Sequence, residues 1–247
     1  MPPRVLVLRA PGTNCDAETA FAFQRAGAEA DVVHLNRWLQ QPALAEQFQI
    51  LCIPGGFSYG DDVAAGRIFA NQLRHHLADR LTAFRDEGKL VLGICNGFQV
   101  LVKTGLMDAD GAGQSATLAW NSGGRFQDRW VPLRTEGALC PFLAGIERLQ
   151  LPIAHAEGQF AARDEATLDR LEAAGQLALR HDGPEHNPNG AQRDVAGMCD
   201  ATGRVFGLMP HPERFIDPTQ HPQWTRRPVA DAGDGLQLFR NAVEYFR

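Results

Sequence analysis

The stretch "KLVLGICNGFQVLVKTG", residues 89 to 105, sets a cysteine between two glycines where an apolar strand passes into helical spacing. Lys89 to Ile94 read as a short buried strand. Phe98, Val100, Leu101 and Val102 follow closely enough to wrap onto a helix, so the chain turns sharply at Cys95. Gly93 and Gly97 stand two residues either side of it, giving G-x-C-x-G, the cysteine counterpart of the G-x-S-x-G nucleophile elbow. A turn this tight is expected to need its glycines. The helix that follows offers Cys95 its positive dipole end and unpaired backbone N–H groups, both favourable to thiolate.

Outward from this elbow the same alternation recurs. Strand-like segments fall at Val5–Arg9, Ala30–Leu35, Ile50–Ile53, Gln176–Arg180, Val195–Cys199 and Val205–Met209, with helical stretches between several of them. Apolar residues Phe69, Leu73, Leu77, Leu81 and Phe84 predict a helix over roughly 63–86, with Gly88 just past its end. Leu236, Phe239, Val243 and Phe246 predict another over about 235–246. The fold class is therefore α/β: a mainly parallel sheet with helices on both faces, and ligands at the carboxyl ends of its strands. Segments 112–135 and 146–160 mix apolar and polar positions and predict an additional small antiparallel section, as a sheet edge or flap. Residues 181–192 and 216–234 read as loops, the second long enough to be functional or interfacial.

Composition narrows the function classes. The chain has 247 residues, 44% of them hydrophobic and 21% charged, which suits a globular protein rather than a disordered one. No apolar run approaches the roughly 20 residues that span a bilayer, so the cytoplasm is the expected location. The net charge of −5 comes without a basic run, which speaks against nucleic acid as a partner. Five scattered cysteines without C-x-x-C spacing suggest neither a disulfide framework nor a zinc site.

A nucleophilic thiol needs a base. Of the eight histidines, His211 in "VFGLMPHPERF" has the most constrained setting, directly after a predicted strand and between Pro210 and Pro212. Extended backbone there would send His211 and Glu213 to the same side, so that the carboxylate orients the imidazole as in a Cys-His-Glu triad. In "CIPGGFSYGDD" (52–62), Gly55 and Gly56 let the backbone approach closely, and the Gly56 and Asn96 amides are candidates for an oxyanion hole. Gly-Gly after a strand is as often a plain turn.

Taken in order, "APGTNCD" (10–16), "PGGFSYGDD" (54–62), "GICNGFQ" (93–99), "NSGGRFQDRWV" (121–131), "IAHAEGQF" (153–160), "NPNG" (187–190) and "GLMPHPER" (207–214) resemble the class I, triad-type glutamine amidotransferase family. Within it they resemble the glutaminase subunits of phosphoribosylformylglycinamidine synthase, and they extend across nearly the whole chain. The resemblance implies a flavodoxin-like fold and one amidotransferase domain over residues 1–247. It also implies Cys95 as nucleophile, His211 as general acid/base and Glu213 as its orienter. Gly56 and Asn96 take the oxyanion role, while Gln99 and the segment around Asn121–Phe126 meet the amino-acid end of glutamine. It implies no metal and no cofactor in this chain. The partners it implies are a separate ATP-dependent synthetase subunit, which uses ATP and Mg2+, and a small bridging subunit. Ala156 and Gln159 depart from the glycine and arginine frequent in the family, so a charge-dependent role of that loop does not carry over.

Simpler readings stand beside these. Cys15 is read as part of a helix-start loop capped by Asn14 or Asp16 rather than as a reactive centre. His155 is as readily a structural loop histidine as a polar group at the active-site mouth. Asp61 and Asp62 read as a helix N-terminus rather than a metal site. A glutaminase subunit of another amidotransferase, a free-standing Cys-His hydrolase of similar fold and a catalytically dead scaffold are the competing functions; the complete triad argues against the last. No G-x-x-x-x-G-K-[ST] phosphate loop is present, in keeping with ATP being handled by another polypeptide.

Overall fold

Strands that are apolar at every position must be covered on both faces, and those of this chain lie at the centre of one sheet. The computed structural model describes residues 1–107, 114–136, 139–228 and 230–247. Its strands are β1 (Arg4–Arg9), β2 (Glu29–His34), β3 (Ile50–Ile53), β4 (Leu90–Ile94), β5 (Ala116–Ala119), β6 (Gln127–Thr135), β7 (Arg148–His155), β8 (Gln159–Ala162), β9 (Leu179–His181), β10 (Val195–Cys199) and β11 (Val205–Leu208). Its helices are α1 (Asp16–Arg25), α2 (Leu35–Gln40), α3 (Arg67–His76), α4 (Ala78–Asp86), α5 (Asn96–Thr104), α6 (Glu165–Ala173) and α7 (Gly235–Glu244).

Among the described residues, nine strands of one sheet run in the order β2-β1-β3-β4-β11-β10-β9-β6-β7. From β2 to β11 the neighbours are parallel, as the alternation of strand and helix predicts. From β11 to β7 every pairing is antiparallel. The antiparallel segments expected from sequence supply both a sheet edge, the β6–β7 pair, and a flap, a separate two-stranded sheet of β5 and β8. Residues 112 and 113 of the first segment lie outside the described residues, as does residue 229 of the long loop.

Alternation along β11 shows how the two faces are covered. A Cβ at Gly207 would overlap the Phe98 ring of α5, whereas the neighbouring Phe206 stacks on Phe142, with ring centroids 5.7 Å apart, beside α7. Helices α3 and α5 pack together on the first face; α1 and α7 pack on the second, where Phe23 meets Phe239 edge to face at 4.9 Å.

The expected helix over 63–86 is two helices. Apolar side chains repeating every four residues drift by about 40° per step on a helix of 3.6 residues per turn, so Leu81 would leave the buried stripe set by Phe69. The break at Leu77, with φ −132° and ψ 12°, resets the direction and keeps Phe69, Leu73, Leu77, Leu81 and Phe84 buried. The first helix starts only at Arg67, because Val63 and Gly66 take positive φ of 73° and 70°. The cap expected at α1 is also absent. Cys15 occupies that position with no side-chain cap; Asn14 Oδ1 accepts from the Cys15 thiol instead, and Asp16 pairs with Arg9 at 3.2 Å.

Candidate active site

The residue that joins strand β4 to helix α5 breaks the usual backbone rule. Cys95 has φ 51° and ψ −105°, unusual for a residue with a side chain, and its N–H is held by the Leu208 carbonyl of β11 at 2.8 Å. The positive φ thus falls on the cysteine itself and not on the flanking glycines. Those are required for proximity: a Cβ at Gly93 would lie 2.6 Å from the Gly97 carbonyl oxygen, and one at Gly97 would overlap the Ile53 carbonyl oxygen of β3. The elbow is therefore legible in sequence, but its glycines serve helix-to-strand contact rather than the turn.

The neighbouring strand β11 brings His211 to the thiol. His211 directly follows "LMP", its N–H donates to the Pro152 carbonyl at 2.8 Å, and its side chain is buried against Cys95. His211 Nδ1 and Glu213 Oε1 are 2.6 Å apart, both buried. Extended backbone accounts for only half of this geometry. His211 is extended at φ −104°, but Glu213 lies in a 3-10 turn, Pro212–Arg214, that Pro212 opens, and the turn folds the carboxylate back onto the imidazole. Burial works to lower the basicity of His211. The Glu213 carboxylate, then Cys95 and Cys15, overcome it and raise its pKa well above the ordinary histidine value.

A cavity of about 300 Å³ opens over the thiol, bounded by Gly56, Phe57, Asp61, Gln99, Trp120, Ala154, His155 and Glu157. Gly56 has φ 139°, and a Cβ on it would press on the Asn14 amide nitrogen at 2.7 Å, so only glycine brings this backbone to the cavity wall. Asn96 Oδ1 accepts from the Ser58 N–H, and its Nδ2 donates to Asp61 Oδ1 and Gln99 Oε1. Gln99 Nε2 in turn donates to the Glu157 carbonyl at 2.6 Å. Both amides are tied into the wall, and Asp61, which also accepts from the Gly66 N–H, belongs to that wall; α3 begins only at Arg67, so Asp61 and Asp62 lie ahead of that helix rather than in its first turn.

The other wall is held by three of the quoted motifs together. Asn121 Nδ2 donates to the Arg125 and His155 carbonyls, and its Oδ1 faces both the Gly158 N–H and His155 Nδ1 at 3.1 Å. Asn189 Nδ2 donates to the Gly158 carbonyl at 2.9 Å. Gly158 leaves no room for a Cβ because the His155 ring fills that place. Gln159, in place of the family's frequent arginine, donates to the Gly190 carbonyl at 2.9 Å, an uncharged structural contact. His155 lines the cavity and is held by a structural network, so both readings made of it from sequence apply. Burial first, then the nearby His211 and His181, lowers its pKa to about 3, so it is neutral at physiological pH.

Cys15 is the residue whose position sequence reasoning missed. Its thiol is buried, accepts from Arg214 Nη2 at 3.1 Å and touches the His211 side chain. One ligand-type atom each from Cys15, His211 and Glu213 falls within 4.8 Å of the others. The available signal was the match of an "NCD" turn to the arginine after His-Pro-Glu, a pairing that no local spacing reveals. All five cysteines are free and buried.

A strained cysteine at the end of a parallel strand, backed by a buried His-Glu pair from the adjacent strand, is the arrangement of a triad-type acyl-transfer enzyme. The chain belongs to the CobB/CobQ-like glutamine amidotransferase domain family, whose model matches residues 2–246. Phosphoribosylformylglycinamidine synthase subunit PurQ of Dehalococcoides mccartyi is 45% identical over 251 residues, covering 99% of this chain and 98% of that protein. Its counterpart in Methanococcus maripaludis is 42% identical, with 99% and 97% covered. Among solved structures, PurLQS from Thermotoga maritima includes a chain that matches with a TM-score of 0.79 at 30% identity, both chains covered in full. A glutamine amidotransferase from the same organism shares the fold at a TM-score of 0.57 and 15% identity, covering 92% of this chain and 82% of its own.

Proposed function

We infer that this chain is the glutaminase subunit of phosphoribosylformylglycinamidine synthase, a single amidotransferase domain over residues 1–247. It hydrolyses glutamine to glutamate and ammonia and delivers the ammonia to a separate ATP-dependent synthetase subunit. That subunit converts formylglycinamide ribonucleotide to formylglycinamidine ribonucleotide in purine biosynthesis. The observation that carries the reading is the strained Cys95 facing a small cavity with the His211–Glu213 pair buried behind it. Full-length likeness to PurQ proteins and to PurLQS supports the particular reaction and the two partners, synthetase and small subunit. ATP and Mg2+ belong to the synthetase in this reading. A cytoplasmic site of action is part of this reading; no helix of the described residues is long and apolar enough to cross a membrane.

The chemistry follows from the positions. His211 takes the Cys95 proton as sulfur attacks the glutamine carboxamide carbon, and the Glu213 carboxylate beside Nδ1 stabilises the imidazolium that results. The Gly56 and Asn96 amides receive the oxyanion. His211 returns the proton to the departing nitrogen, the C–N bond breaks, and ammonia leaves behind a glutamyl thioester. His211 then takes a proton from water as its oxygen attacks the thioester carbon, and glutamate is released with the thiol restored. His155, neutral and lining the same cavity as Cys95, adds polarity there without a charge that would compete for the thiolate. Gln99 and Asn121–Phe126 shape the wall that meets the amino-acid end of glutamine. A diazo-ketone analogue of glutamine tests the assignment: it labels Cys95 alone and glutamine protects, whereas labelling chiefly at Cys15 would overturn it.

A further inference from the structure

Beside the cysteine cavity lies a second, open cavity of about 570 Å³ with a different character. Helix α3 sets Arg67, Asn71 and Arg74 along one stripe at i, i+4 and i+7, and Lys103 reaches in from the end of α5. Among the described residues, Glu157 is the one carboxylate in this lining, and its Oε2 accepts from the Ala65 N–H on the catalytic side at 3.4 Å. In a chain of net charge −5 this is a local reversal of sign, three cations against one anion among the described residues. Among the described residues, no ion pair within 4.0 Å involves Arg67, Arg74 or Lys103. Burial lowers the Lys103 pKa, and the Glu157 and Asp61 carboxylates only partly offset it. An anion supplied from outside would complete the set.

The surroundings say what kind of anion. Val63, next to the cavity wall at Ala64, is 78% exposed at a positive φ that a β-branched side chain tolerates poorly. Trp120 is 61% and Phe57 47% exposed at the rim of the adjoining cysteine cavity. Exposed aromatics next to arginines, with few acids, are the composition of a protein interface. The open shape and exposed arginines would hold a small free ion poorly, since little of it would leave water.

We propose that this face docks the synthetase subunit and that an acidic segment of that subunit seats in the Arg67–Arg74–Lys103 cavity. The proposal rests on the reading of the chain as a glutaminase subunit. It also places the docked segment against the catalytic wall. Glu157 borders both cavities and holds Gln99 through its carbonyl, and β5 gives Thr117 and Leu118 to one cavity while Trp120 just beyond it lines the other. Docking therefore grips the flap and the Gln99 wall together, and glutamine turnover rises when the partner binds.

The test compares the full chain with an Arg67→Glu/Arg74→Glu double variant, each titrated with the full-length synthetase and small subunit between about 50 and 300 mM salt. The wild type is expected to bind more weakly as salt rises. The variant should bind about tenfold or more weakly, with a flatter salt dependence, keep the basal glutaminase rate of the isolated chain and lose the rise on adding partner. A variant with wild-type affinity and salt dependence overturns the docking and leaves the functional reading standing. So does tight binding of inorganic phosphate to the isolated chain that vanishes in the variant while partner affinity is unchanged, since a small anion would then be the occupant. Failure of the wild-type chain to associate with the synthetase at any salt would refute the functional reading, and the docking with it.

Discussion

The two halves of the sheet do different work. The parallel half, β2 to β11, carries the groups proposed to react: Cys95 from the end of β4 and His211 from just beyond β11, neighbours because those strands pair in register from Val91 with Val205 to Ile94 with Leu208. The antiparallel half and the β5–β8 flap deliver walls, with Ala154, His155 and Trp120 standing over the sulfur. In the first half the backbone itself aims the groups, through one strained residue and glycines that admit a helix against a strand. In the second half side-chain amides do the aiming, Asn121 and Asn189 holding loops that no ladder reaches. Damage to the first half should therefore fall on chemistry or folding, and damage to the second on substrate affinity.

The largest expected effect is on the parallel half. His211→Ala should lower glutamine hydrolysis by about 10³-fold or more, and Glu213→Gln by less, because the carboxylate orients the imidazole without itself moving the proton. Steady-state glutamate release measures both; near-normal turnover of His211→Ala alongside an inactive His155→Ala would reverse the roles of the two halves. Gly97→Ala comes next. Its Cβ would overlap the Ile53 carbonyl oxygen, and backbone must shift to admit it, a cost of about 1–3 kcal/mol or more in a packed core. Denaturant unfolding reads that loss, and an unchanged midpoint would show that the β3–α5 contact is looser than described.

Asn121→Ala sharpens the comparison from the other side. It strips hydrogen-bond partners from Gly158 N, His155 Nδ1 and two carbonyls, with an expected loss of about 2–4 kcal/mol in stability and a rise in KM that exceeds the fall in kcat. A pure kcat effect would place Asn121 with the chemistry instead. Acid should act on the same half. Burial lowers His155 to about 3 and His181 to about 4, so both are neutral in the native state at pH 5 while the unfolded chain protonates them below about 6.5. Stability from these two is present above about pH 6.5 and lost as pH falls toward 4. Thermal unfolding across that window should fall more steeply for the wild type than for a His181→Gln variant. The smallest effect is expected at Cys15. Cys15→Ala leaves Cys95 and the His211–Glu213 bond in place, so turnover should drop by no more than about tenfold, with a displaced pH profile because the thiol touches His211.

The same division explains what was legible in the sequence. The parallel strands announce themselves as short apolar runs between glycine-rich turns, and the elbow and the Pro-flanked His-Pro-Glu are local patterns, so the residues that cluster as Cys95, His211 and Glu213 could be picked out directly. The break at Leu77 was hidden, because a four-residue repeat looks helical until its angular drift is summed over the whole segment. The Asn121–His155–Asn189 network and the Cys15–Arg214 contact join residues 31 to 199 positions apart, and only the topology brings them together. The cationic cavity was invisible for the same reason, since its residues come from two helices, a flap strand and a turn.

The central claim is that this chain frees ammonia and leaves activation of the acceptor to another polypeptide. It is tested by reconstituting the complex with Cys95→Ala and measuring formylglycinamidine ribonucleotide from glutamine and from added ammonium salts. The expected result is loss of glutamine-dependent synthesis with ammonium-dependent synthesis largely intact. Loss of both, in a folded variant that still binds its partners, would mean that Cys95 does something other than release ammonia.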